Sequence, residues 1–311
     1  MDKGKIKYIV ARVLPNWISD IIRNILKYKR KRKANSIESK LEDIRNILIF
    51  NNPIDQIPRS SGKLRLLQDG NTVLLDLFKK KCQEHGLRYW LDFGTLLGAV
   101  RHKDFVPWDD DLDVSMMKED YDKLAELLPV LFPQSEGFWW CKHAFIQLGV
   151  QGTPLNLDIT SYYSHCKSYS SESRQVTLEA LQKVKKEVVY TGGYMSCSAA
   201  ELGEKIKQTV LGGNAPLPES QSPMLFLSPV PAFTKQMVVP YDMIFPLKTA
   251  EFGNYTFSVP NQTRRFLQLF YGDYMSYPPK VGFWHKSVEE MVKKVPFEDA
   301  VNQFIDRYGR L

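Results

Sequence analysis

Gly94–Val114 reads GTLLGAVRHKDFVPWDDDLDV, and four of the five residues before Val114 are aspartates: Asp109, Asp110, Asp111 and Asp113. Carboxylates at this spacing repel one another, so an ordered cluster needs solvent, a basic partner or a bound cation to offset the charge. Ligands that are all oxygen suit Mg²⁺ or Mn²⁺, which keep part of their water and bind substrate phosphates alongside. Metal-dependent phosphate chemistry is therefore the first reading of the chain.

The flanking residues give the cluster a scaffold. Thr72–His85 spaces Val73, Leu74, Leu77 and Phe78 helically and stops at Gly86. Leu87–Phe93 (LRYWLDF) is short and aromatic, which predicts a strand. Gly94-Thr95 then turns the chain into a short helix over Leu96–Arg101, and a turn that opens a helix favours an anion at its N–H groups. Leu112–Met116 resumes as a strand after Pro107. Residues two apart on a strand face the same way, so Asp111 and Asp113 share a face while Leu112 turns to the core. Two carboxylates so placed can grip one or two cations beside a phosphate held at Gly94-Thr95. Asp158, in the alternating run LNLDI at Leu155–Ile159, is the candidate third carboxylate. Arg101 is placed to hold a phosphate in bidentate fashion, or to pair with a nearby aspartate. Asp109 and Asp110 read equally well as functional members of the cluster or as loop residues that are solvated or cap the local turn.

Leu64–Leu124 carries the GTLLG turn, the PWDDD run and the Asp120-Tyr121 pair in one order. With DMIFPLKTAEFGNYTFSVP at Asp242–Pro260 and YGDYMSYPP at Tyr271–Pro279, it resembles the LicD family and its fukutin-type relatives. The resemblance implies an α+β protein with a polymerase-beta-like nucleotidyltransferase core, a mixed sheet flanked by helices. It also implies transfer of a phosphoryl-alcohol group, such as phosphocholine, from a CDP-linked donor to a glycan hydroxyl. On that pattern Gly94 and Thr95 contact phosphate, Asp111 and Asp113 hold the metal, and Asp158 supplies the third carboxylate. Two departures stand out: DITSYY follows where the family continues Asp-Ile-Phe-Pro-Leu, and Lys118 stands where an arginine is usual. His285, in GFWHK, falls in the family's C-terminal block and is left off the catalytic set.

Charge divides the chain. Residues 1–34 hold eleven Lys/Arg against two Asp, whereas the whole protein carries a net charge of only +7. Ile18, Ile21, Ile22, Ile25 and Leu26 fall on one helical face after Trp17, and KYKRKRK follows. A basic amphipathic helix with a tryptophan predicts an anchor on an anionic membrane surface, at about 1 kcal/mol per Lys or Arg. The alternative is a helix packed on the protein's own body. Aromatics are not interleaved with the basic run, which argues against nucleic acid. The sequence contains no uncharged apolar run near the ~20 residues that span a bilayer, so a cytoplasmic, peripheral location on the inner face of the cell membrane is expected.

The expected domains are 1–61, the basic helix and connector, and 62–311, the catalytic domain. Within the latter, Lys118–Phe132 reads as a helix and Phe138–Val150 as one or two strands. Glu172–Gly212 reads as a helical insertion and Asn214–Pro231 as a proline-rich loop. The four cysteines (Cys82, Cys141, Cys166, Cys197) lack metal-site spacing and read as reduced thiols. Two rivals share parts of this reading: a nucleotide-sugar transferase with an Asp-x-Asp metal site, and a catalytically silent membrane-associated scaffold.

Overall fold

The structure is a computed structural model that describes residues 52–166, 168–190, 198–228, 238–278 and 296–309, together with 27, 29, 37 and 39–43. The chain divides into two units, Met1–Gln56 and Ile57–Leu311. In the first, Lys27 and Lys29 are helical and exposed, as are residues 39–43. The rest of the expected membrane-binding stretch 1–34 lies outside the described residues, as do Cys197 and His285. No helix among the described residues is long and apolar enough to cross a membrane.

The second unit runs α1 (Gly62–Glu84), β1 (Trp90–Leu91), α2 (Phe93–His102), β2 (Asp113–Met117), α3 (Lys118–Leu131), β3 (Phe138–Lys142), β4 (Ile146–Val150) and β5 (Asn156–His165). It continues with α4 (Ser171–Tyr190), α5 (Ala199–Thr209), β6 (Met224–Leu227), β7 (Val238–Pro240) and α6 (Tyr241–Ile244). A hairpin of β8 (Lys248–Phe252) and β9 (Tyr255–Val259) precedes α7 (Thr263–Tyr271) and α8 (Glu298–Tyr308).

The result is a mixed sheet flanked by helices, in the order β1-β2-β5-β4-β3, with β6 and β7 continuing from β5. Strand β5 is its hub. It lies parallel to β2 along one edge, while its other edge pairs first with β4 and then with β6, both antiparallel. Four of the five residues of β2 are buried, as expected of a strand covered on both faces. Leu112, Val114, Met116, Leu157 and Ile159 join one large core with residues of α1, α3 and α8. The helical insertion has a core of its own, where Leu181, Val184, Leu202 and Ile206 meet Tyr163, Phe226 and Val238.

Two local expectations change. The aromatic run Leu87–Phe93 forms only a two-residue strand, because Asp92 caps a helix that already begins at Phe93. Gly94 and Thr95 therefore sit inside the first turn of α2. Second, the proline-rich stretch Asn214–Pro231 is not all loop, since Met224–Leu227 pairs with the second half of β5. Its apolar run MLFL had an open sheet edge to fill.

Helix α2 explains the spacing GTLLG. Gly94 and Gly98 lie one turn apart on the same face. A Cβ on Gly98 would stand 2.4 Å from the Asp104 carbonyl oxygen, and one on Gly94 would stand 2.6 Å from Asp109 Oδ2. The segment leading to the aspartates thus packs directly on a helix face without side chains. Gly98→Ala is expected to cost about 1–3 kcal/mol through overpacking, seen as a Tm lower by several degrees. Gly203→Ala, on α5 where a Cβ meets nothing within 4 Å, should instead stabilise by ~0.5–1 kcal/mol and raise Tm slightly. Similar shifts for the two variants would contradict this packing.

Candidate active site

Three segments of backbone meet at the start of β2. Asp92 N–H donates to the Asp113 carbonyl at 3.1 Å, and Asp113 N–H donates to Thr95 Oγ1 at 2.8 Å. On the far side, Asp158 N–H donates to the Leu112 carbonyl at 2.8 Å. Asp113 and Asp158 are direct register partners of the parallel pair β2–β5, so their side chains leave the same face of the sheet. The structure thus brings together Asp113 and Asp158 of the predicted set, with Asp111 acting electrostatically on the same Asp113 carboxyl.

That carboxyl is raised well above the usual carboxylate range, first by burial and then by the charges of Asp111, Asp158, Asp109 and Asp92. The repulsion inferred from spacing is therefore a property of the folded site. Among the described residues, Asp109, Asp110 and Asp111 also bring one carboxylate oxygen each within 4.8 Å of one another. An all-oxygen set of this density suits a hard divalent cation, so the residues present fit the expected Mg²⁺ or Mn²⁺. Of the predicted ligands, Asp111 shares this group with Asp109 and Asp110, while Asp113 and Asp158 lie outside it.

Thr95 is buried, and its hydroxyl oxygen is used to hold the backbone of Asp113. Gly94 lies against Asp109, with Asp113 Oδ2 at 3.8 Å from where a Cβ would stand. Arg101 is buried. Its Nη1 donates to the Tyr274 carbonyl at 2.7 Å and its Nε to His102 Nε2 at 2.9 Å. Burial lowers its basicity, while Tyr271, Tyr277 and Asp109 act in the opposite sense. Arg101 thereby ties the segment after α7 to α2. Lys118, in the place of the usual arginine, pairs with Asp122 and stands over the rings of Tyr121 and Tyr163.

Several residues of the site carried no sequence assignment. Asp92 is fully buried, accepts from Phe93 N–H at 2.8 Å and from Ser115 Oγ at 2.7 Å, and is raised to about 6 by burial, which those bonds oppose. Phe93, just after it, has φ 44°, a left-handed backbone unusual for an aromatic residue. Its ring meets Phe270 edge to face at 5.1 Å, which brings the end of α7 to the site. There the phenol of Tyr271 is raised well above its usual range by burial and by Asp113, Asp92, Asp109 and Asp111. From α1, buried Gln68 and Asn71 donate to the carbonyls of Asp109 and Asp110 at 2.8 and 3.1 Å. Two amides three residues apart on an otherwise apolar helix face were the available signal for that anchor.

Residues 86–191 match the family model described as LicD/FKTN/FKRP, nucleotidyltransferase domain, and the chain therefore carries a domain of the LicD family. The lipopolysaccharide cholinephosphotransferase LicD of Haemophilus influenzae is 44% identical over 54 residues, 17% of this chain and 20% of that protein. The ribitol 5-phosphate transferase FKRP of Homo sapiens is 50% identical over 42 residues, 14% of this chain and 8% of that protein. The matched segments thus span a fifth or less of these relatives.

The electrostatics predict a pH dependence. Asp92 has a raised folded pKa, so its protonation favours the native state: its stabilising contribution is complete below the unfolded value of about 4 and is lost as pH rises through about 6. About two pKa units correspond to up to about 3 kcal/mol at neutral pH. Asp92→Asn should therefore gain stability relative to wild type between pH 4 and pH 7 in metal-free buffer. A stability difference between the two that stays constant over that range would show that Asp92 does not titrate as its surroundings require.

Proposed function

We propose that the protein catalyses metal-dependent transfer of a phosphoryl-alcohol group from a CDP-linked donor to a hydroxyl of a cell-surface glycan or its lipid-linked precursor. The observation that carries this reading is the placement of Asp113 beside Asp158 on parallel neighbouring strands, with Asp111 and Asp109 close enough to perturb the same carboxyl. The names of the two transferase relatives, one for choline phosphate and one for ribitol 5-phosphate, agree with it. The mixed sheet is read as a polymerase-beta-like nucleotidyltransferase core on the same grounds.

Asp111, Asp113 and Asp158 would hold Mg²⁺ or Mn²⁺, with Asp109 and Asp110 adjoining. When bound, the cation neutralises phosphate charge and aligns the reacting oxygens. The acceptor oxygen forms a bond to the donor phosphorus farther from cytidine, the pyrophosphate P–O bond breaks, and CMP leaves with that oxygen. Asp158 would either help hold the second ion or take the proton of the acceptor hydroxyl. Gly94 and Thr95 present the first-turn N–H groups of α2, where helix geometry favours an anion, and the Thr95 hydroxyl keeps Asp113 in register. Arg101 steadies the donor phosphates while bracing the segment after α7. Tyr271, held in its protonated form, offers an O–H donor at the same place. The eleven basic residues of 1–34 would keep the enzyme at an anionic membrane surface, near a lipid-linked acceptor.

CMP release from CDP-choline, CDP-ribitol and CDP-glycerol with Mg²⁺ tests the reading. One donor should be turned over, and Asp111→Asn should lose about 100-fold or more, since several kcal/mol of charge stabilisation are removed. Silence with all three donors alongside turnover of UDP- or GDP-sugars would replace this function with sugar transfer.

A further inference from the structure

Cys141, Gln147, Asp158 and Asp113 are successive register partners on β3, β4, β5 and β2. Register partners in neighbouring strands send their side chains to the same face, so the four form one row across the sheet. Gln147 Nε2 donates to Asp158 Oδ1 at 2.9 Å. The Cys141 thiol in turn donates to Gln147 Oε1 at 3.7 Å. A neutral amide has one donating and one accepting end. With the thiol at its oxygen, the amide nitrogen is directed at the carboxylate, whereas the flipped amide would oppose two oxygens. Burial raises the Cys141 pKa, and the charge of Asp158 adds to the effect, so the thiol keeps the proton that this order needs.

We propose that Gln147 is a positioning residue for Asp158: its amide, oriented by Cys141, fixes the plane of the carboxylate that faces Asp113. This inference rests on the metal-dependent reading of the site. It assigns a role to two residues on strands β3 and β4, which carry no other candidate ligand. Partners of this kind, bonded to a ligand and not to the metal, commonly affect metal affinity by about 10–100-fold.

Gln147→Met keeps similar bulk and removes the donor, and Cys141→Ser keeps a donor to the same oxygen. Mn²⁺ binding to the full chain is measured by titration calorimetry without nucleotide. In parallel, the Mg²⁺ concentration for half-maximal CMP release is compared with turnover at saturating Mg²⁺. Gln147→Met should weaken Mn²⁺ binding about 10-fold and raise the Mg²⁺ requirement by the same factor, with turnover at saturating Mg²⁺ far less affected. Cys141→Ser should bind Mn²⁺ as the wild type does. Unchanged Mn²⁺ affinity and Mg²⁺ requirement in Gln147→Met, in a wild type active under the same conditions, would overturn the role of Gln147 alone. Wild-type protein that binds Mn²⁺ but transfers nothing would overturn the proposed reaction, with the calorimetry still deciding on Gln147. Wild-type protein that binds no Mn²⁺ would overturn both.

Discussion

Carboxylate repulsion sets the terms for this fold. Asp113 is pushed far from its usual ionisation by burial and by Asp111, Asp158, Asp109 and Asp92, and nothing about such a cluster is self-stabilising. It is held by backbone bonds that meet at one point: from Asp92, between β1 and α2, to Asp113, from Asp113 to Thr95 of α2, and from Asp158 of β5 to Leu112. Each bond uses a main-chain group, so the position of Asp113 is set through the backbone, while the carboxylates of Asp92 and Asp158 accept further bonds from Ser115 and Gln147. Burial of Leu112, Val114 and Met116 in the core supplies the apolar counterweight that keeps β2 in place.

The same logic accounts for the glycines and buried amides nearby. A helix with side chains at positions 94 and 98 could not lie against the backbone of Asp104 and the carboxylate of Asp109. Gln68 and Asn71 satisfy the loop carbonyls from the other side, and Asn71 also accepts from Asn156 N–H at 3.1 Å at the start of β5. Arg101 then brings in the C-terminal segment through the Tyr274 carbonyl. Sequence blocks separated by well over a hundred residues thus converge on one place, and the one nearer the C-terminus contributes Tyr271. Its phenol lies in a field set by Asp113, Asp92, Asp109 and Asp111.

The strands that matter most were legible because their patterns are local. Alternation in LNLDI and the Asp-Leu-Asp step each encode a face, and the parallel pairing of Asp113 with Asp158 makes those faces one. The start of α2 was less legible: LRYWLDF has strand composition throughout, and only the cap at Asp92 and the left-handed Phe93 end the strand early. Strand β6 was hidden among prolines, since its pairing depends on the second half of β5, more than fifty residues away. Gln68, Asn71, Gln147 and Tyr271 act on the site only through tertiary approach, and no spacing rule connects an amide on β4 with a carboxylate on β5. Asp109 and Asp110 were ambiguous for a related reason. Their sequence suits a solvated turn, and only the glycine face of α2 together with the α1 amides draws them into the cluster.

The most direct test is anomalous scattering from crystals of the full chain soaked with Mn²⁺ and CDP. A peak within roughly 2.0–2.3 Å of oxygens of Asp113 and of Asp111 or Asp158, typical of a hard divalent cation, is the predicted result. No peak at these carboxylates, with nucleotide bound elsewhere, would contradict a metal-dependent phosphoryl-transfer site at the head of β2 and β5.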